Sequence, residues 1–153
     1  MNDTKTKVIH AGFLLADPDI EPKSEQSVLI KGERIKAVSG GFIDPPPGGE
    51  LIDLRKKFVL PGLIDCHVHV TAQLDRGYRL RTVEDSDPKV VFNAARNAAV
   101  TLAAGFTTVR DVGAGNPEVI FALRAGIAER RLRDCGFFAS ALILSPTGGH
   151  GQV

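Results

Sequence analysis

The chain has 153 residues, with 19 Lys+Arg against 18 Asp+Glu and a formal charge of +1. That balance offers no basic field for nucleic acid and no acidic tail, and 43% hydrophobic with 24% charged residues is a globular rather than a disordered mix. A chain of this size can bury roughly 70% of its unfolded surface, and no apolar run reaches the ~18 residues of a membrane span.

Met1 to Gly12 contains no long apolar stretch, so no secretory signal is expected, and a cytoplasmic location follows. Two cysteines, Cys66 and Cys135, cannot build a disulfide framework and read as reduced, packing thiols. Thr6 to Leu15 is apolar-rich and reads as a strand, with His10 in a structural role. Residues 27–31 and 34–38 flank Gly32-Glu33, a two-residue hairpin signal. Pro45 to Gly49 is a loop, and residues 51–54 and 57–60 read as two further short strands. Residues 1–60 therefore suggest a small β-sandwich or part of one.

After Pro61-Gly62 the pattern changes. Leu63 to Val70 reads as a strand with a buried apolar start, Leu63-Ile64, and residues 71–86 read as polar loop. Asp87 is the expected N-cap of a helix, with Pro88 at its first position. Val91, Ala95, Ala98 and Leu102 form its apolar face, and Gly105 is placed to end it. Residues 106–110 are a β-branched strand, followed by Arg110-Asp111 as a salt-bridged pair, with a site role as the alternative. Asn116-Pro117 starts a second helix with Val119, Ile120, Leu123 and Ile127 inward and Arg130, Arg131 and Arg133 near its C-terminus. Phe137 to Leu144 is a third strand, before the loop Ser145 to Gly151. Strands alternating with helices imply parallel pairing through crossovers.

The chemistry centres on His67-Val68-His69. Side chains at i and i+2 of a strand share a face, ~6.6 Å apart along the backbone, and two imidazoles so placed can converge on one Zn²⁺ or similar ion. The alternative is two histidines on a half-exposed strand. Asp65 shares their parity and either orients one of them or caps a turn or pairs with a cation; Cys66 has the opposite parity and reads as a core thiol. His150, in Gly149-His150-Gly151, lies at the same expected end of the sheet and is either a site residue or an exposed turn histidine. Tyr78, the single tyrosine, either lines a substrate pocket or packs its loop. The glycines at 113 and 115 lack the spacing of a phosphate loop.

Val59 to His69 resembles the first-strand signature of the amidohydrolase superfamily, and Ala104 to Gly113 resembles its second strand. Ser145-Pro146-Thr147-Gly148-Gly149-His150-Gly151 resembles the loop of its prolidase-like and imidazolonepropionase-related branch, which includes carboxypeptidases acting on Xaa-Pro or N-acyl amino acids. The resemblance implies an N-terminal β-sandwich portion over residues 1–60. Residues 61–153 would be the first three βα units of a (β/α)8 barrel, left incomplete. It implies one or two divalent metals, zinc foremost, with His67 and His69 as ligands and His150 and Tyr78 near the substrate. The expected reaction is hydrolysis of an amide C–N bond, in an Xaa-Pro dipeptide or N-acyl amino acid, or in a cyclic amide of the imidazolonepropionase type.

A barrel of this kind takes ~200–250 residues, and residues 61–153 provide about three strands of eight. The family's bridging lysine, later histidines and last-strand aspartate have no counterpart here. The chain is thus expected to be the N-terminal part of a longer hydrolase, inactive and prone to associate when alone, through a homo-oligomer or with the remaining C-terminal part. A non-catalytic, partner-binding remnant and a standalone metal domain using His67, His69 and His150 are the competing expectations.

Overall fold

A computed structural model describes residues 5–132, 136–140, 146, 147 and 149. The chain divides into two compact units, Met1–Pro61 and Gly62–Val153.

In the first unit, β1 (Thr6–Leu14), β2 (Lys23–Lys31), β3 (Arg34–Gly40) and β4 (Glu50–Val59) form one sheet in the order β3-β2-β1-β4. The β2–β3 hairpin turns at Gly32-Glu33 as expected, and β1 runs antiparallel to β2 but parallel to β4. Ala11, Leu14 and Val28 are its buried apolar centre, flanked by Ile9, Ile30 and Val59. Among the described residues this is one sheet rather than two facing ones. The two short strands expected at 51–54 and 57–60 are one strand with an irregularity. Ala11 pairs with Leu54, whereas Phe13 pairs with Phe58. The excess residues of β4 pass over Gly12, where a Cβ would lie 2.3 Å from the Arg55 carbonyl oxygen. Only glycine permits that approach, so pairing resumes beyond Lys57 instead of ending. His10 is structural, as expected. It is buried, and its Nε2 donates to the Ile43 carbonyl at 2.8 Å. Ser27 Oγ donates to the Gly41 carbonyl and accepts from the Ile43 amide, which fastens residues 41–43 to the sheet.

In the second unit the order is β5 (Leu63–Val68), α1 (Tyr78–Glu84), α2 (Asp87–Ala103), β6 (Phe106–Asp111), α3 (Pro117–Ala128) and β7 (Gly136–Ala139). The sheet is β5-β6-β7, all parallel and not closed among the described residues. Val70, Ala94, Ala114, Ile120 and Leu123 form the core, with Val68, Ala95, Ile127, Phe137 and Ala139 packed against it. The face expected for α3 is the one observed. On α2 the expected face is inward, with Ala98 buried, Ala95 packed against the core and Val91 and Leu102 half-buried, and Ala94 is buried beside it. Gly105 ends α2 at φ +98°, a backbone conformation that a Cβ disfavours. Asn116 caps α3 through the Glu118 amide at 2.9 Å.

Further expectations are corrected. Ser86, not Asp87, is the N-cap of α2, and Asp87 instead accepts from Asn116 Nδ2 at 2.8 Å, joining the starts of two helices. Residues 71–86 are not all loop. Asp75 accepts from the Gly77 amide and pairs with Arg81, which seeds α1. Leu63 and Ile64 are exposed, at 42% and 65%, and Cys66 is exposed rather than a core thiol. All three lie on β5, an outer strand of a three-stranded sheet, where one flank has no neighbouring strand among the described residues. Of the expected strand 137–144 the described part is β7, Gly136–Ala139; residues 141–145, like Arg133 and Cys135, lie outside the described residues.

Candidate metal centre

The histidine pair sits at the C-terminal end of β5, the end at which parallel α/β sheets present ligands. His67 is within the strand and exposed; His69 is one residue past it and half-buried. Their ring centroids are 5.5 Å apart with planes at 79°. One nitrogen from each ring, bound at ~2.0–2.1 Å with a tetrahedral angle, would place the centroids roughly 5 Å apart. The observed spacing is close to that value.

The tautomer of His69 also suits a ligand. Its Nδ1 lies 2.7 Å from the Gly113 carbonyl oxygen. A carbonyl only accepts, so Nδ1 carries the proton, and in the neutral ring Nε2 keeps its lone pair. Metal-binding histidines are held by this kind of outer contact.

The strand that carries the pair is irregular. Asp65 is level with Val109 and Val68 with Asp111, so β5 has one more residue than β6 over this stretch. Asp65 does not reach an imidazole. Its Oδ1 accepts the His67 amide at 2.9 Å and so braces the irregularity. Arg110 and Asp111 are not paired with each other, contrary to the simpler expectation. Arg110 Nε donates to the Cys66 carbonyl at 2.7 Å, while Asp111 is completely buried. Asp111 Oδ2 accepts the Val70 amide at 2.8 Å and Oδ1 the Gly113 amide at 2.9 Å. Burial pushes the Asp111 carboxyl above its ordinary value, against the opposing pull of those two amides and of His69. On the other side, Asn97 Nδ2 of α2 donates to the carbonyls of Val70 (2.9 Å) and Ala72 (3.3 Å).

Tyr78 opens α1 with an exposed side chain, and among the described residues no hydrogen bond or ring contact joins it to the histidines. His150 lies outside the described residues. Among the described residues no three His, Cys, Asp or Glu side chains cluster as a metal cage. No helix among them is long and apolar enough to cross a membrane. Sequence reasoning missed Asn97 and gave Asp111 a place near the site only as the alternative to a salt bridge with Arg110. Asp111 had a signal, since it shares strand parity with the buried Val109 and so projects a carboxylate into a core-facing position.

The chain is similar to a Xaa-Pro dipeptidase solved with methionine in its active site, at TM-score 0.87 and 33% identity, covering 97% of this chain and 36% of that one. It is similar to a prolidase solved with N-methylphosphonate-L-proline, at TM-score 0.80 and 31% identity, covering 96% and 34%. An imidazolonepropionase of Rubrobacter xylanophilus is 41% identical over 63 residues, 38% of this chain and 15% of that protein. The chain thus spans little more than a third of the longest-matched of these relatives. The amidohydrolase family model matches residues 58–146, more than half of the chain and the whole stretch from the entry to β5 through β7. With the parallel sheet and the paired imidazoles at its C-terminal end, that match makes this chain a member of the amidohydrolase family.

Proposed function

We propose that residues 61–153 form the first part of a metal-dependent hydrolase barrel, that residues 1–60 form part of the β-sandwich beside it, and that His67 and His69 hold a divalent metal, zinc foremost. The observation that supports this most is the 5.5 Å ring spacing together with the bond that leaves His69 Nε2 free. A divalent ion so held supplies Lewis acidity, polarising an amide carbonyl and easing proton loss from water. His67 contributes the more open side of the site and His69 the more rigid one. Catalytic zinc sites usually take three protein ligands, so further ligands belong to residues outside this pair.

The bond cleaved is an amide C–N bond, in an Xaa-Pro dipeptide or an N-acyl amino acid. The two prolidase-type structures support that substrate class. His150 and Tyr78 are the candidates for substrate contact. A cyclic amide is the second reading, favoured by the 41% identity to an imidazolonepropionase. The whole activity is proposed for a protein containing more of the barrel, with no turnover by residues 1–153 alone.

Calorimetric titration of zinc into the metal-stripped chain tests the pair. Wild type is expected to bind, and His67→Ala and His69→Ala are each expected to weaken binding at least tenfold. Equal binding by all three chains would remove the metal assignment. Turnover of an acyl-proline dipeptide by the zinc-loaded 153-residue chain would overturn the division of labour.

A further inference from the structure

The end of β6 contains a group that the metal proposal does not use. Asp111 is completely buried, and each carboxylate oxygen accepts one backbone amide, Val70 on one side and Gly113 on the other. Both amides belong to the immediate surroundings of His69. Val70 is the next residue in the chain, and Gly113 supplies the carbonyl to which His69 Nδ1 donates at 2.7 Å. One carboxylate therefore anchors the backbone that carries the ring and the peptide segment that fixes the ring's rotation and tautomer.

Chemistry narrows what can stand at this position. Two N–H donors converge on the side chain, so it must accept twice. Asparagine offers one oxygen, and its NH2 would face a donor. Leucine of similar volume would leave two buried amides unsatisfied. Burying a carboxylate is unfavourable unless it is paired or hydrogen-bonded, and a fold needing only packing here has cheaper solutions. Neighbouring contacts serve the same end. Asn97 holds the carbonyl of Val70 while Asp111 holds its amide, and Arg110 holds the Cys66 carbonyl just before the histidines. The backbone on both sides of His67-Val68-His69 is thus gripped by side chains from other elements.

We propose that Asp111 is a positioning residue for His69, which through the Gly113 carbonyl keeps the imidazole in the Nδ1–H tautomer with Nε2 directed for ligation. Its link to a metal rests on the function proposed above; its link to the ring does not.

The test reads the ring directly. Long-range ¹H–¹⁵N NMR of the metal-free 153-residue chain, above the pH range of imidazole titration, reports the tautomer of each histidine. His69 is expected as Nδ1–H, and exposed His67 serves as the internal reference. Asp111→Asn is expected to release His69 to the distribution of His67 and to weaken zinc binding ten- to a hundredfold, the usual effect of losing an outer-shell partner. Leu123→Ala, which damages the same core without touching the bonds to His69, is expected to leave the tautomer unchanged. A His69 tautomer unaltered in Asp111→Asn, or altered equally in Leu123→Ala, overturns the proposal. Should Asp111→Asn fail to fold, wild type decides: His69 restricted to Nδ1–H supports the role, and equal distributions in both rings refute it. Wild type that shows the restricted tautomer but binds no zinc removes the metal function and leaves the positioning role intact.

Discussion

Asn97 offers a test of how firmly the loop beyond the histidines is fixed. Its Nδ2 donates to two carbonyls, Val70 at 2.9 Å and Ala72 at 3.3 Å. A typical intramolecular hydrogen bond contributes ~0.5–1.5 kcal/mol, and the longer of these two belongs at the low end. Asn97→Ala should therefore cost about 1–2 kcal/mol. Asn97→Asp keeps the shape but turns a carboxylate oxygen toward both carbonyls. It loses the same bonds and adds repulsion at a half-buried position, so its cost should exceed that of alanine by about 1–2 kcal/mol. For a unit of this size each kcal/mol corresponds to roughly 4–8 °C in Tm. The chain has no tryptophan and one tyrosine, so urea and thermal unfolding are best followed by far-ultraviolet circular dichroism. Aspartate costing no more than alanine would show that the amide does not donate to these carbonyls.

Two further outcomes are expected in the first unit. Arg55 binds Asp53 through Nε (2.9 Å) and Nη2 (2.6 Å), and its guanidinium and amide hold the Asp53 carboxyl well below the usual carboxylate range. The stability this adds is complete above the ordinary carboxylate pKa of ~3.9 and is lost as the pH falls below it. In an NMR titration Arg55→Gln should raise the Asp53 midpoint, and an unmoved midpoint would contradict the assignment. Gly12→Ala places a methyl group 2.3 Å from the Arg55 carbonyl oxygen. It should destabilise by about 1–3 kcal/mol, as overpacking does, and a neutral result in urea unfolding would show that β4 can shift away freely.

What could be read from the sequence was what is decided locally. Gly32 and Gly105 announce a turn and a helix end, Asn116-Pro117 announces a helix start, and the His67–His69 spacing announces neighbouring rings, whose centroids lie 5.5 Å apart. The parallel order of β5, β6 and β7 followed from alternation with helices. What escaped was decided by partners distant in the chain. Ile64 and Cys66 look like core residues until the outer position of β5 is known. Arg110 and Asp111 look like a pair because they are adjacent, yet their backbone partners are 44 and 41 residues away. Helix α1 has no apolar stripe to betray it, and depends on Asp75 and Arg81 instead.

The extra residue in β5 has a consequence for anyone transplanting this motif. A straight strand bearing His-Val-His would keep its ladder, and the His67 amide would seek a neighbouring carbonyl rather than the Asp65 carboxylate that takes it here. Grafting the tripeptide alone onto another scaffold should therefore yield two imidazoles with unconstrained rotation and poor ion capture. A faithful graft has to include Asp65, Arg110 and Asp111 as one unit, with the Gly113 turn that receives the ring.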